Sequence, residues 1–283
     1  MSTVLGIIGG SGLYELSELT NVETVTVDTP FGPPSDALVR GRIGDTTLLF
    51  LPRHGRGHRV APHEINYRAN VCAMKKAGAT HLVSVSAVGS MKEQIAPGHI
   101  VLPDQFIDLT KRRVSTYFED GIVGHVAFAD PTCQKMRRAL AGSAQRAGAT
   151  VHEGGTYVCI EGPHFSSRAE SLLYRSWGVS VIGMTAMPEA KLAREAELPY
   201  ATMALATDYD CWHESEEAVS ADAVVAVVKK NVAQAKRILT ELAKSLFPPH
   251  ESAAFHAQSG AIMSAPNAIT DEARLRLGWL LRG

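Results

Sequence analysis

Two carboxylates one residue apart, Asp208 and Asp210, follow an apolar run from Tyr200 to Ala206 and the hydroxyl of Thr207. The run reads as a buried strand. In a strand, residues i and i+2 point the same way, so both acids are expected to face one cleft. Acids at the carboxyl end of a buried strand stand where open α/β sheets bind ligands. The same spacing suits a helix N-cap equally well, because Asp and Ser often open helices.

Four further stretches follow strand-like runs and carry anion-binding residue types. Gly9-Gly10-Ser11-Gly12 brings backbone N–H groups and a hydroxyl to a tight turn. It lacks the third glycine of a dinucleotide fingerprint and the lysine of a Walker loop, and a plain turn remains open. Pro52-Arg53-His54-Gly55-Arg56-Gly57-His58-Arg59 offers a guanidinium fork and imidazole donors suited to phosphate. A solvated basic loop is the alternative. Metal ligation by His54 and His58 lacks acid or thiol partners in the run, and His63-Glu64 fails the H-E-x-x-H pattern because Tyr67 stands where the second histidine belongs. Ser84-Val85-Ser86-Ala87-Val88-Gly89-Ser90 supplies Ser86 and free backbone groups. In Glu161-Gly162-Pro163-His164-Phe165-Ser166-Ser167, Ser167 and Glu170 form a capping-box pattern that leaves Phe165 and Ser166 ahead of the helix. Gly183-Met184-Thr185 ends the strand-like run before the acids.

These residues need a scaffold. The chain has 283 residues, 45% apolar and 20% charged, with a formal net charge of −1. That composition fits a globular enzyme or binding protein and offers no electrostatic case for nucleic-acid or membrane partners. The start shows no basic leader, and no apolar run approaches a membrane span. The four cysteines (Cys72, Cys133, Cys159, Cys211) lack C-x-x-C spacing, so free thiols in the cytoplasm are expected and a zinc site is not. Strands are expected at residues 4–8, 47–51, 81–86, 99–102, 157–160, 180–184 and 201–206. Helices are expected at 64–77, 132–147, 167–177, 188–196 and 221–246, with a last one at 272–281 and a strand meander near 98–108. Such alternation implies an α/β domain with a mixed, mostly parallel central sheet flanked by helices. The strand ends, and the loops on them, are expected to converge on one sheet edge. Residues 1–246 form the expected domain. Residues 247–283, opening on Pro248-Pro249-His250, form a C-terminal extension that packs on its own or a neighbouring subunit.

The chain resembles the 5′-methylthioadenosine phosphorylases of the trimeric purine nucleoside phosphorylase type. The matching pieces are Gly6-Ile-Ile-Gly-Gly-Ser-Gly12, Asp28-Thr-Pro-Phe-Gly32 with Pro34-Ser35, Arg53-His-Gly55, Asn66-Tyr-Arg-Ala-Asn70, Asp104-Gln-Phe-Ile-Asp108, Glu161-Gly-Pro163, Phe165-Ser-Ser-Arg-Ala-Glu170 and Ala206-Thr-Asp-Tyr-Asp-Cys-Trp212. They run in order from residue 6 to about 246; the tail resembles the family weakly. The resemblance implies phosphorolysis of methylthioadenosine to adenine and 5-methylthioribose 1-phosphate, in purine and methionine salvage. It implies no cofactor and no metal, with inorganic phosphate as co-substrate, and a homotrimer or a pair of trimers. It assigns phosphate to Ser11, Arg53, His54, Ser86, the Ala87 backbone and Thr185. It places Met184 against the ribose, Phe165 in the purine pocket with Ser166 near the base and Thr207 beside it, Asp208 at purine N7 and Asp210 at the 6-amino group. It gives the 5′ pocket to Ala221 and Val224, with His125 and Leu280 or Leu281 from a neighbouring subunit. Three positions depart from the pattern: Gly183 stands where some relatives carry Asn, Val88 where some carry Cys, and Ala221 replaces a Val, which makes the 5′ pocket roomier.

The chemistry suits these residues. Cleaving a purine–ribose bond leaves charge on the base, and a proton donor at N7 makes it a better leaving group. Burial beside a second acid favours a proton on Asp208, the expected general acid. Phosphate is the nucleophile, positioned by the anion cradle. Enzymes of this type for 6-oxopurines carry Asn at the position of Asp208 and Glu at that of Ser166; this chain has neither, so 6-aminopurines are expected. Two other readings stay open: a purine nucleoside or methylthioinosine phosphorylase of broader specificity, and a non-catalytic purine-binding protein on the same fold.

Overall fold

The computed structural model describes residues 3–10, 12–213 and 221–281, without the side chains of 221–226. Its strands and helices are, in chain order, β1 (Val4–Gly9), β2 (Thr20–Val25), β3 (Leu38–Ile43), β4 (Thr46–Pro52), α1 (Tyr67–Lys76), β5 (His81–Ser90), β6 (Ile100–Leu102), β7 (Gln105–Asp108), α2 (Gln134–Arg146), β8 (Val151–Glu153), β9 (Thr156–Cys159), α3 (Arg168–Ser176), β10 (Val181–Gly183), α4 (Glu189–Glu195), β11 (Tyr200–Asp208), α5 (Ala221–Ala243) and α6 (Asp271–Leu277). They build one mixed, mostly parallel 11-stranded sheet. No helix among the described residues is long and apolar enough to cross a membrane.

β5 is the hub. Its first half lies between β1 and β11, both parallel to it. Beyond Ser84 it outruns β1, and at Gly89 and Ser90 it pairs instead with β10, which runs antiparallel. β9 and β7 continue from β10, while β4, β3 and β2 continue from β1. β1 and β10 therefore run towards each other along one side of β5 and both stop short. Opposite Val85, Ser86, Ala87 and Val88 that side carries no paired strand. The expectation that the loops converge on one sheet edge is corrected by this arrangement. The loops after β9 and β10 approach from the opposite direction, because those strands oppose β5, and all of them meet at an internal gap.

Alternation along the strands divides the core. Leu5, Ile7, Val83 and Val85 pack towards α2 and α5, whereas Ile8, Leu82 and Val88 pack towards α1 and α4. A third cluster joins Ile182, Tyr174 and Trp212 beside α3. Ser167 accepts from Glu170 N while the Glu170 carboxylate accepts from Ser167 N, so the capping box opens α3. Two asparagines of the Asn66–Asn70 motif serve the scaffold. Asn66 caps α1 and donates to Phe31 O, and Asn70 accepts from Ser35 N and donates to Ser35 Oγ.

The C-terminal segment lies on its own chain. Phe247 meets His81 edge-on, Trp279 packs on Tyr117 and Phe31, and Ala273, Leu277 and Leu280 join the core beside α1 and α4. Leu277 is fully buried. Leu277→Ala is expected to destabilise the fold by about 2–5 kcal/mol. Urea denaturation checks this, and an unchanged midpoint would show that the segment is dispensable to the core.

Candidate active site

The gap is floored by a buried ion pair. Arg53, at the end of β4, is 2% exposed and Glu189, at the start of α4, is 0% exposed. Arg53 Nε donates to Glu189 Oε2 at 3.0 Å and Nη2 reaches Oε1 at 3.2 Å. Nη2 also donates to Ile8 O and Ser84 Oγ, and Nη1 to Val85 O. Burial works against the guanidinium's charge, but the Glu189 carboxylate outweighs it and holds the group above its ordinary range. An arginine has five N–H hydrogens, and these contacts leave one, on Nη1, without a protein acceptor. The expectation of Arg53 as an open fork for phosphate is therefore corrected: most of the fork braces the scaffold.

His54 is half-buried beside it. Its Nδ1 lies 2.8 Å from Val60 O. A carbonyl only accepts, so Nδ1 carries the hydrogen. Burial, with Arg53 and the stacked ring of His58 nearby, pushes its pKa down to about 4. His54 is thus neutral around pH 7, with Nε2 a bare acceptor. Three hydroxyls complete this region. Ser86, Thr185 and Tyr157 have buried oxygens without a hydrogen-bond partner, although Ser86 and Thr185 lie close enough to bear on the Tyr157 hydroxyl.

The acids stand at the end of β11, where a bulge at Thr207 brings Asp208 opposite Gly89. A Cβ on Gly89 would lie 3.1 Å from Asp208 Oδ1 and 3.2 Å from Asp210 Cβ, so the absent side chain makes room for both acids. Asp208 Oδ1 accepts from Asp210 N at 2.8 Å, and Oδ2 lies 2.6 Å from Thr207 Oγ1. Asp208 thus holds the N–H that opens the short 3-10 turn Asp210–Trp212, but the N-cap of that turn is Tyr209, without a side-chain cap bond, so the helix-cap alternative does not describe either acid. The Thr207 hydroxyl has one hydrogen and two oxygens in reach, Asp208 Oδ2 and Val88 O. Turned to Val88 O, it presents a lone pair to Asp208 Oδ2. The strand ends at Asp208, and Asp210 has a φ of +53°. The strand spacing that was to aim both acids alike is thereby corrected: it stops before Asp210, whose carboxylate instead accepts from Ser171 of α3. Burial raises the Asp210 pKa, the Ser171 bond opposes this, and Asp208 adds a smaller push upward. Trp212 locks the turn, its Nε1 donating to Ser90 O and its ring covered by Arg175.

The remaining expected residues divide. Met184 borders the gap and its carbonyl accepts from Arg113. The Ala87 backbone lies on the unpaired side of β5, and the Ser166 hydroxyl is buried without a partner. Phe165 is 85% exposed, so within one chain it lines no closed pocket. His125 is exposed, on a segment bridged to the C-terminal extension. Leu280 is buried in its own core, which corrects its donation to a neighbour; Leu281 is half-buried beside it. Ser11 and the side chains of Ala221 and Val224 lie outside the described residues. Gly183 has a physical reason: a Cβ there would stand 2.0 Å from the Tyr157 hydroxyl, so Asn does not fit. Among the described residues no group of three or more His, Cys, Asp or Glu side chains could hold a metal ion.

Sequence reasoning missed Glu189, Arg113 and Tyr157. Glu189 had a signal, a carboxylate beside Ala190, Leu192 and Ala193 on a buried helix, which demands a cation. Arg113 had none, since Lys111-Arg112-Arg113 reads as a solvated charge run. In the fold Arg113 is buried and binds the Glu161 loop to the Met184 and Met187 carbonyls.

This fold and site define a nucleoside-phosphorylase architecture. The description "Phosphorylase superfamily" matches residues 4–244, and the chain belongs to that family. It is 55% identical to the S-methyl-5'-thioadenosine phosphorylase of Geobacter sulfurreducens over 99% of each chain. A 51% identity with the enzyme of the same name from Hyperthermus butylicus covers 88% of this chain and 90% of the other. The crystal structure of a methylthioadenosine phosphorylase from an Antarctic soil metagenomic library superposes with a TM-score of 0.94 at 46% identity over 100% of both chains. An adenosine/methylthioadenosine phosphorylase mutant from Schistosoma mansoni, in complex with adenine, gives 0.81 at 39% identity over 86% of this chain and 91% of the other.

Two measurements test the electrostatics. Glu189→Gln leaves Arg53 buried without a counter-charge and is expected to cost about 3–5 kcal/mol in denaturant unfolding; a loss below about 1 kcal/mol would refute an ionised pair. The second is a pH series. Burial lowers His54 and His81 from 6.5 to about 4. Between these values the unfolded chain takes up protons that the folded chain refuses, so stability falls as the pH falls. Glu195 opposes this, because burial raises its carboxyl from 4.5 to about 7 despite bonds from Thr116 and Tyr117 N. Its contribution is present at acid pH and is lost as pH rises through about 7. Glu195→Gln should steepen the rise of the urea midpoint between pH 4.5 and 6.5; an unchanged slope would count against the assignment.

Proposed function

We propose that this chain carries out the phosphorolysis of 5′-methylthioadenosine, giving adenine and 5-methylthioribose 1-phosphate. What supports the reading is the set of buried hydroxyls around β5 together with the carboxylate pair where the adjoining β11 ends opposite Gly89. Full-length identity to S-methyl-5'-thioadenosine phosphorylases supports it.

Phosphate enters the gap, where Ser86, Thr185, the Ala87 backbone, Ser11 and the free Nη1 hydrogen of Arg53 donate to its oxygens. The bare Nε2 of His54 accepts from the hydroxyl of a monohydrogen phosphate. That proton then stays off the attacking oxygen, which bonds to the anomeric carbon as the bond to the purine breaks. The anion also stabilises the cationic sugar. Asp208 supplies the proton or hydrogen bond at N7, with Thr207 setting which oxygen carries it. Asp210 accepts from the 6-amino group, and its turn is held rigid by Trp212 and Ser171. A 6-oxo base would set two acceptors against each other there. No cofactor or metal enters the sequence of steps.

Assembly as a homotrimer belongs to the same reading, as does a cytoplasmic location. Phe165, Leu172, Leu173 and Trp177 expose apolar surface around α3, and His125 is presented at the surface. A neighbouring subunit seated there would close the purine and 5′ ends. Adenosine is a second substrate to be weighed, because a relative is named for both nucleosides.

The test is adenine release with and without phosphate, on methylthioadenosine, adenosine and methylthioinosine. Release from methylthioadenosine is expected to require phosphate, and methylthioinosine at subsaturating concentration to react roughly ten- to hundred-fold more slowly. Equal rates on both would overturn the base assignment. Asp208→Asn is expected to lower turnover by about 10²–10⁴-fold; full turnover would remove it as the proton donor.

A further inference from the structure

The Tyr157 hydroxyl is an anomaly that the scaffold does not explain. Tyr157 sits in β9 with 0% exposure. Its ring packs against Phe106 and belongs to the apolar core. A phenylalanine would make the same contacts, yet the oxygen is buried without a hydrogen-bond partner. A buried, unpaired hydroxyl typically costs about 1–3 kcal/mol. The site also yields space to it, since the oxygen occupies the place where any side chain at residue 183 would begin.

What surrounds the oxygen gives it a use. Ser86 and Thr185 lie near enough to bear on it as hydrogen-bonding hydroxyls, although none of the three forms a well-placed bond among the described residues, and Arg53 acts on it through its charge. The three hydroxyls come from three elements: β5 on the unpaired side, the loop after β10, and β9. Three neighbouring hydroxyls, none in a well-formed hydrogen bond, suit a ligand with several acceptor oxygens that would take a hydrogen from each. Burial raises the phenol's pKa, so it stays protonated and able to donate. The oxygens are closed from solvent as the chain stands.

We propose that Tyr157 is a phosphate-binding residue, its hydroxyl the third member of a Ser86–Thr185–Tyr157 donor cluster, with Gly183 kept bare to admit it. The assignment rests on the phosphorylase reading above and adds to it a residue that shapes the phosphate end of the site. It distinguishes this cradle from one built on an open guanidinium fork: neutral donors make most of the bonds to the anion, and Arg53, bound to Glu189, adds one hydrogen.

The experiment uses the full chain and its Tyr157→Phe variant, with phosphate and methylthioadenosine varied in turn. The variant loses one oxygen that has no partner, so its unfolding midpoint without phosphate is expected to equal or exceed that of the parent. Its KM for phosphate is expected to rise about ten-fold or more, the usual worth of a hydrogen bond to a charged group, while KM for methylthioadenosine stays within about two-fold. The rise in melting temperature produced by added phosphate should also shrink. An unchanged phosphate KM and an unchanged phosphate-induced shift would overturn the assignment and leave the phosphorylase reading intact. So would an equal rise in both KM values, which indicates packing. Adenine release by the parent without phosphate would overturn the phosphorylase reading and this inference together.

Discussion

The buried pair of Arg53 and Glu189 is the constraint on which the rest of the structure depends. Both groups are almost wholly removed from water, and a lone buried charge of either sign would be untenable. The pair is accepted because its remaining valences are filled. Arg53 takes the carbonyls of Ile8 and Val85 and the hydroxyl of Ser84, and Glu189 receives the Tyr200 hydroxyl. One ion pair therefore fixes the ends of β1 and β4, the middle of β5, the start of β11 and the first turn of α4. A neutral pair also gives the gap above it a modest field. Anion binding then falls to neutral donors and one remaining guanidinium hydrogen, which suits a co-substrate that must be bound and then turned over.

The gap follows from strand direction. β1 and β11 run with β5, and β10 runs against it. Two strands pointing at each other along one side of β5 leave unsatisfied backbone between their ends, and water, side chains or ligand must meet it. Here a side chain meets part of it: Arg53 takes Val85 O. The acids arrive through a second irregularity, the bulge before Asp208. Bulges re-aim a side chain at the end of a strand, and this one sets Asp208 against the bare backbone of Gly89.

Much of this was legible in the residues. The apolar run at 200–206 is β11, the capping box opens α3, and the alternation of strand and helix patterns produced the α/β sheet. β2 escaped notice because it is a polar edge strand, with exposed Thr20, Asn21 and Glu23 and no alternation to read. β3 was missed as well, and β8 is too short to show a period, whereas β7 falls inside the strand meander expected near 98–108. Asp210 defeated the strand rule because the chain leaves extended geometry one residue earlier than the spacing assumed. Arg53 looked like an open fork because a sequence displays a cation and hides the acid that meets it, here 136 positions away. Leu280 resisted for the same reason, since an apolar residue near a terminus is equally suited to its own core or to another chain.

The two ends of the site differ in kind, and the difference bears on how it works. At the end proposed for phosphate, Ser86, Thr185 and Tyr157 are buried, and Arg53, Glu189 and Arg113 brace the strands and turns around them. Positioning an anion beneath a reacting carbon rewards that rigidity. At the nucleoside end, Phe165 is largely exposed ahead of α3, and His125 is exposed on a segment tied to the C-terminal extension. Arg113 links the two regimes. It grips the Glu161 carboxylate and carbonyl on the loop leading to Phe165, and the Met184 and Met187 carbonyls on the loop carrying Thr185. The exposed loop is thereby tied at its base to the loop that carries Thr185.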